Sequence, residues 1–291
     1  MSALHWPTDS RTWPNAQASR FVSAGGIKWH VQVSGSGPVL LLLHGTAAST
    51  HSWRDLAPML SEHFTVVAPD LPGHGFSSRM SRPTPSAVAT ATAALMDALG
   101  LAPDLTIGHS AGAALALTMA QRKLAAPRAI IGFGGALLPF PGMAGKIFPA
   151  MARMLFVNPF VPELFAMRAR RPGEVPGFLA RSTGSHLDAR GIALYERLMG
   201  ASSHVGGALA LMANWDLNPL EAALPSLDLP ILLVHGAKDA TIPPTVSTKV
   251  AARLPRGRAL ILPALGHLAH EEDPAAHAAL ALDFAREVGI A

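Results

Sequence analysis

The sequence predicts an α/β fold: a mostly parallel central sheet covered by helices on both faces, with an all-helical insertion before the last strands. Three observations carry this reading. Short continuous apolar runs, each closed by Gly, Pro or Asp, recur along the chain, as strands buried on both faces require. Between them lie helically spaced stretches of about ten to fifteen residues, the length that a crossover between parallel strands needs. From residue 136 to about 225 the strand runs stop while helical segments continue.

Taken in order, "GIKWHVQVSG" (26–35) alternates as a half-exposed strand does, and "PVLLLL" (38–43) and "FTVVA" (64–68) are continuous apolar runs. Between these two, "SWRDLAPML" (52–60) places Trp53, Leu56 and Leu60 on one helical stripe. Ser86 to Leu99 reads as a helix leading into "DLTIGHS" (104–110), then a small-residue helix over 111–122 and the run "RAIIGFGG" (128–135). Within the insertion, "GKIFPAMARMLF", "PELFAMRARR", "DARGIALYERLMG" and "HVGGALALMANWDL" have helical patterns and no strand pattern. Alternation resumes with "LPILLVHG" (229–236), a helix over 244–253 and "RALILP" (258–263). The last helix opens with Asp273 as its N-cap and Pro274 at its first position, where a missing N–H costs nothing. These boundaries divide the chain into a first core segment, 1–135, a helical cap, 136–225, and a second core segment, 226–291.

Composition narrows the chemistry. With 291 residues, 49% of them hydrophobic, the chain has ample material for a large core. It contains no cysteine, which excludes disulfides, thiolate catalysis and thiolate metal sites. The formal charge is +4, with no run of like charges and no array of interleaved aromatics, so no nucleic-acid partner is expected. The 13 histidines form no HExxH, and no carboxylate cluster has ligand spacing, so no metal is expected. "DLPGHGFS" (70–77) fits neither GxGxxG nor GxxxxGK[ST] and reads as a tight turn at the rim of a site, so no cofactor is expected either. The uncharged stretch 129–145 is broken by Pro139 and Pro141 and is too short for a spanning helix. "MSALHWPTDSRTWP" has neither the basic nor the apolar region of a signal peptide, so a cytoplasmic protein is expected.

Four motifs carry chemistry. In "GHSAG" (108–112) a serine stands where a strand run meets a helix, flanked by glycines that a sharp, strained elbow requires; an ordinary strand-to-helix turn is the alternative. A serine hydroxyl needs a base beside it. "LPALGHLAHEEDP" offers His267, in the loop at the carboxyl edge of a strand, and His270, nearer the last helix and the more natural polar cap. Asp239 ends "ILLVHGAKD" past another strand and would fix the tautomer of that base, unless it is a surface turn residue. In chain order the set is Ser110, Asp239, His267, with the hydroxyl expected within hydrogen-bond reach of the imidazole. "HGTAAST" (44–50) supplies the fourth element: Gly45 lets the backbone pass beneath the serine, the Thr46 and Ala111 amides form an oxyanion hole, and His44 braces the loop. Gly108 and Gly112 complete the structural residues of the site.

These motifs resemble the α/β-hydrolase fold family from about residue 25 to the end. The marks are "LLLLHGTAAS", "VVAPDLPGHGFS", "IGHSAGAAL", "LLVHGAKDATIPP" and "LGHLAHEEDP". The resemblance implies Ser110 as nucleophile, Asp239 as acid and His267 as base. A serine at position 110 also sets the chain apart from epoxide hydrolases and haloalkane dehalogenases, which carry aspartate there. Stretches reaching through the insertion, among them "GFGGALLPFPG", "NPFVPELFA", "TGSHLDARGIALYERL" and "HVGGALALMANWDLNPL", are similar to the magnesium-chelatase accessory proteins of bacteriochlorophyll biosynthesis. That likeness implies a hydrophobic small-molecule substrate such as a magnesium porphyrin or its precursor, transient contact with magnesium chelatase, and peripheral contact with the photosynthetic membrane. Three functions stand side by side: a serine hydrolase of that pathway, a non-catalytic porphyrin carrier or chelatase assembly factor, and a general carboxylesterase.

Candidate pocket residues are His109, beside the serine, and Phe148, Met151 and Leu155 in the cap. With Met143, Met154 and Phe156 these cap residues offer adaptable apolar surface, although methionines at helical spacing also serve plain packing. Arg168, Arg170 and Arg171 face either acidic groups or solvent.

Overall fold

A computed structural model describes residues 2–139, 158 and 160–290. Its eight strands are β1 (Ser19–Ala24), β2 (Ile27–Ser34), β3 (Val39–Leu43), β4 (Thr65–Pro69), β5 (Leu105–His109), β6 (Ala129–Phe133), β7 (Ile231–Gly236) and β8 (Gly257–Leu262). They form one sheet in the order β1-β2-β4-β3-β5-β6-β7-β8. β2 runs antiparallel to β1 and β4, and every other neighbouring pair is parallel. Side chains alternate across the sheet as the strand period of two requires. Leu40, Leu42, Ile107 and Ile131 pack on Trp53, Leu60, Phe64 and Phe284. Leu41, Leu43, Val67, Ile130 and Leu233 face the other way, onto residues of the helices Pro85–Leu99 and Ala111–Gln121.

The expected runs all become strands, but β1 lies outside the predicted set. It pairs with β2 through Gly25 and Gly26, at φ 56° and 76°, the left-handed pair that a two-residue hairpin turn demands. The helix expected over 52–60 is also corrected: a 3-10 turn, Thr50–Trp53, is followed by a separate short helix, Leu56–Leu60. Pro58 has no N–H to return to the Arg54 carbonyl, which accepts the Asn15 side-chain amide at 3.1 Å instead. The last helix, Pro274–Glu287, begins as expected, with Asp273 accepting the Ala276 N–H.

Between β6 and β7 the described residues hold helices and no strand: Val161–Ala169, Glu174–Thr183, Ala189–Met199, Ser202–Ala213 and Asn218–Ala223. This is the inserted helical cap. Met143, Phe148, Met151, Met154, Leu155 and Phe156 lie outside the described residues. A segment for which the sequence suggested no element straps the cap from the amino-terminal side. Trp13 packs with Leu194 and Leu198, joined by Trp6 and Phe76. The Ser2 carbonyl accepts the Ser203 N–H at 2.9 Å, and Arg197 donates to the Thr12 hydroxyl at 2.8 Å. Among the described residues no helix is long and apolar enough to cross a membrane.

Candidate active site

Ser110 sits between the end of β5 and the helix Ala111–Gln121, with φ 51° and ψ −113°. A non-glycine residue in that region stores roughly 1–3 kcal/mol of backbone strain. The surrounding structure holds it there: Ser110 N–H donates to the Phe133 carbonyl at 2.9 Å, and its own carbonyl accepts from Ala113 and Ala136. The flanking glycines are needed for close approach. A Cβ on Gly112 would strike the Leu43 carbonyl oxygen, and one on Gly108 the Ala113 nitrogen. At Gly45 a Cβ would lie 2.8 Å from His109 Nδ1 and 3.0 Å from Ser110 Cβ, so the loop after β3 does pass directly beneath the serine.

The loops after β7 and β8 meet at this same carboxyl edge. His267 Nδ1 lies 2.6 Å from Asp239 Oδ2. Asp239 Oδ1 accepts the Thr241 and Ile242 N–H groups, each at 2.8 Å. Burial by itself would raise the Asp239 carboxyl, but hydrogen bonds from His235, His267 and Ile242 hold it well below the usual carboxylate range. Asp239 is therefore an anchored anion rather than a surface turn residue.

The His267 ring stands beside the elbow. It lies 4.8 Å from the His109 ring and against Gly134, one residue past the Phe133 carbonyl that holds Ser110. Among the described residues the Ser110 hydroxyl makes no hydrogen bond, so the expected link to His267 is not closed in this arrangement. Such contacts commonly tighten only when a reacting group is bound.

The competing histidine has different partners. His270 is buried, lies between the rings of Trp53 and His109, and donates through Nε2 to Ser52 Oγ at 2.9 Å. Burial pushes its pKa well down. His109, expected on the pocket wall, is 2% exposed, and its Nε2–H holds the His267 carbonyl at 3.0 Å. His44 braces the loop after β3. Its Nε2 accepts the Leu71 N–H at 2.8 Å, which leaves Nδ1–H to donate to the Gly45 carbonyl at 2.8 Å. Thr46 N–H belongs to the peptide of that carbonyl and points the opposite way. Ala111 N–H is the first amide of its helix and has no partner within it.

Other site residues escaped the sequence reading. His235 Nε2 is 2.9 Å from Asp239 Oδ2, and Ser247 binds its Nδ1 at 2.8 Å, so the acid is gripped by two histidines. A histidine closing an apolar strand run four residues before the acid was the available signal. Glu271 is a structural tie between core and cap rather than a site residue: it is buried and accepts from Ser52, from Arg54 and from Tyr195 of the cap at 2.6, 2.6 and 2.8 Å, with no hydrogen bond to Ser110, Asp239 or His267. Arg168, Arg170 and Arg171 are exposed. Arg168 pairs with Glu174 at 3.0 Å and Arg170 bonds the Gly200 carbonyl at 2.7 Å. No group of three or more potential ligands that could hold a metal ion occurs among the described residues.

Comparison with known proteins agrees with this geometry. The chain is 41% identical over 266 residues to the magnesium-chelatase 30 kDa subunit of Rhodobacter capsulatus, covering 89% of this chain and 91% of that protein. It is 33% identical over 252 residues to a pimeloyl-[acyl-carrier protein] methyl ester esterase of Xanthomonas oryzae pv. oryzae, covering 82% and 91%. The crystal structure of a putative lipase from Acinetobacter baumannii superposes with a TM-score of 0.79 over 98% of this chain and 97% of that one, at 21% identity, a likeness of fold. The pattern of the alpha/beta hydrolase fold matches residues 38–274, from just before β3 to the first residue of the last helix. The elbow serine, the coupled Asp–His pair and the bracing loop thus stand on the scaffold that serine hydrolases use, and the chain belongs to the α/β-hydrolase fold family.

Proposed function

We propose that the protein is a serine hydrolase that cleaves an ester or related acyl bond of a hydrophobic substrate, as an accessory enzyme in the magnesium-porphyrin steps of bacteriochlorophyll biosynthesis. The observation that carries the reading is the 2.6 Å contact between His267 and Asp239, made beside a serine held at φ 51°. In this reading His267 Nε2 takes the Ser110 proton as Oγ attacks the acyl carbon. Thr46 and Ala111 N–H groups stabilise the oxyanion, and Asp239 stabilises the imidazolium. The imidazolium then protonates the leaving group. Water activated by the same ring releases the acyl group and regenerates Ser110. The cap, spanning 136–225 in the sequence reading, encloses the acyl-enzyme and limits its contact with bulk water.

The pathway assignment draws on the likeness to the magnesium-chelatase subunit, and that same likeness favours a second reading: a carrier or assembly factor that needs the pocket and not the hydroxyl. Replacing Ser110 by alanine in the native host, with protein levels matched by immunoblot, separates the two. The hydrolase reading expects bacteriochlorophyll to fall as far as it does when the gene is deleted. Parental pigment in a well-expressed Ser110→Ala strain would sink it and leave the carrier.

A further inference from the structure

His204 belongs to the cap helix Ser202–Ala213, yet both of its ring nitrogens are engaged by core loops. Nδ1 receives the Gly75 N–H at 3.0 Å, and Nε2 lies 3.1 Å from the Ala47 carbonyl. An amide N–H can only donate, so Nδ1 is the unprotonated nitrogen and Nε2 carries the hydrogen given to Ala47. The ring is 1% exposed, and burial pushes its pKa down to about 4. It is therefore neutral near pH 7, with a fixed tautomer.

The carbonyl it holds belongs to an unusual residue. Ala47 is at φ 62°, a conformation that alanine leaves unless something retains it. Ala47 C=O and Ala48 N–H lie in one planar trans peptide and point opposite ways. That Ala48 N–H donates to the Gly45 carbonyl at 3.2 Å, and the Gly45 carbonyl shares its own peptide plane with Thr46 N–H. Holding Ala47 C=O therefore sets, plane by plane, the direction of Thr46 N–H. His44 fixes the Gly45 end of this turn from the core side, and His204 fixes the far end, which His44 does not touch. Hydrogen bonds in such a series also polarise one another.

We infer that His204 is a positioning residue that reaches from the cap to aim the Thr46 N–H at the oxyanion, so that the oxyanion hole is complete only while the helix Ser202–Ala213 is seated on the loop. The inference rests on the serine-hydrolase reading above and adds that the cap is a working part of the transition-state site rather than a cover.

The test is saturation labelling with a fluorophosphonate, whose phosphoryl oxygen enters the same hole. It yields the maximal rate kinact and the half-saturating concentration KI for the full chain and its variants. His204→Ala is expected to lower kinact roughly 10- to 100-fold, less than outright loss of a donor, with KI within about twofold. The side-chain amide of glutamine reaches the place of Nε2 and can still donate to Ala47, whereas that of asparagine reaches only the place of Nδ1. His204→Gln should therefore recover to within about threefold of the parent while His204→Asn stays as slow as alanine. Tyr195→Phe removes a different buried cap–core hydrogen bond, to Glu271, and should label at the parental rate. A parental kinact in His204→Ala, equal rescue by asparagine, or an equal loss in Tyr195→Phe overturns the inference. If the alanine variant fails to fold, the Gln and Asn pair decides alone. No labelling of the parent, or undiminished labelling of Ser110→Ala, is a different failure: it removes the serine reading, and this inference with it.

Discussion

Replacing Asp239 by asparagine separates the electrostatic part of the site from its architecture. The carboxylate meets His267 Nδ1 at 2.6 Å, so the charge centres of the ion pair formed during reaction are about 4 Å apart. At an effective dielectric of about 20 such a pair is worth about 4 kcal/mol, or roughly a thousandfold in rate. Asparagine also presents an NH2 where Nδ1–H donated, which favours the imidazole tautomer with its hydrogen on the nitrogen that should accept from Ser110. Together these place the expected loss of fluorophosphonate labelling rate at about 10³- to 10⁴-fold. The fold should suffer far less. The asparagine carbonyl can still accept from Thr241 and Ile242, and His235 Nε2 keeps the Ile242 carbonyl at 2.9 Å as an acceptor. A loss of about 1–2 kcal/mol follows from the imperfect pairing. Over a 291-residue chain, that is a fall in melting temperature of about 2–3 K. A labelling rate within tenfold of the parent, or a melting temperature lowered by more than about 10 K, would show that Asp239 serves the loop and not the reaction.

Two further outcomes test the strain and the buried histidines. Ser110→Gly should abolish labelling and raise the melting temperature by about 2–5 K, because glycine relieves the φ of 51° at a gain of roughly 1–3 kcal/mol; Ser110→Ala should abolish labelling without that gain. Acid should destabilise the protein from well above the carboxylate range. His44, His51, His74, His109, His204, His270 and His277 are all pushed below the ordinary histidine pKa, chiefly by burial, so the unfolded chain takes up protons first as the pH drops through about 6.5. Stability present above that pH is lost as it falls toward the folded values. Asp70 and Asp239, whose folded pKa values are depressed, add a second loss below about pH 4. If only two of these histidines titrate this way, the loss is roughly 3 kcal/mol per pH unit, or about 5 K, so a melting temperature that is flat from pH 7 to pH 5 would refute the assignment.

What the sequence revealed and concealed follows from the range of the forces involved. Runs such as Val39–Leu43 and Ile231–Gly236 are legible because burial on both faces leaves a continuous apolar signature. The elbow at Ser110 is legible because its flanking glycines answer a local steric demand. β1 was missed because an edge strand with a half-exposed pattern carries little apolar signal, although Gly25-Gly26 marked its turn. The grip of His235 on Asp239, and that of His204 on Ala47, join residues 4 and 157 positions apart. The strand run before Asp239 ends on a histidine, but neither local pattern states which acceptor its ring will meet.

The strap has a consequence for the order in which the chain comes together. Trp6 and Trp13 leave the ribosome almost two hundred residues ahead of Leu194, Leu198 and Ser203. At about 5–20 residues per second, that interval is roughly 10–40 s. During it the two indoles have no cap to cover them, and the hairpin of β1 and β2 can form while the segment before it waits. The cap cannot reach its final seat until its earlier and its later contacts are both available, so the strap acts as a late lock, and the Gly45–Ala48 loop that His204 holds is secured only after the cap has been made.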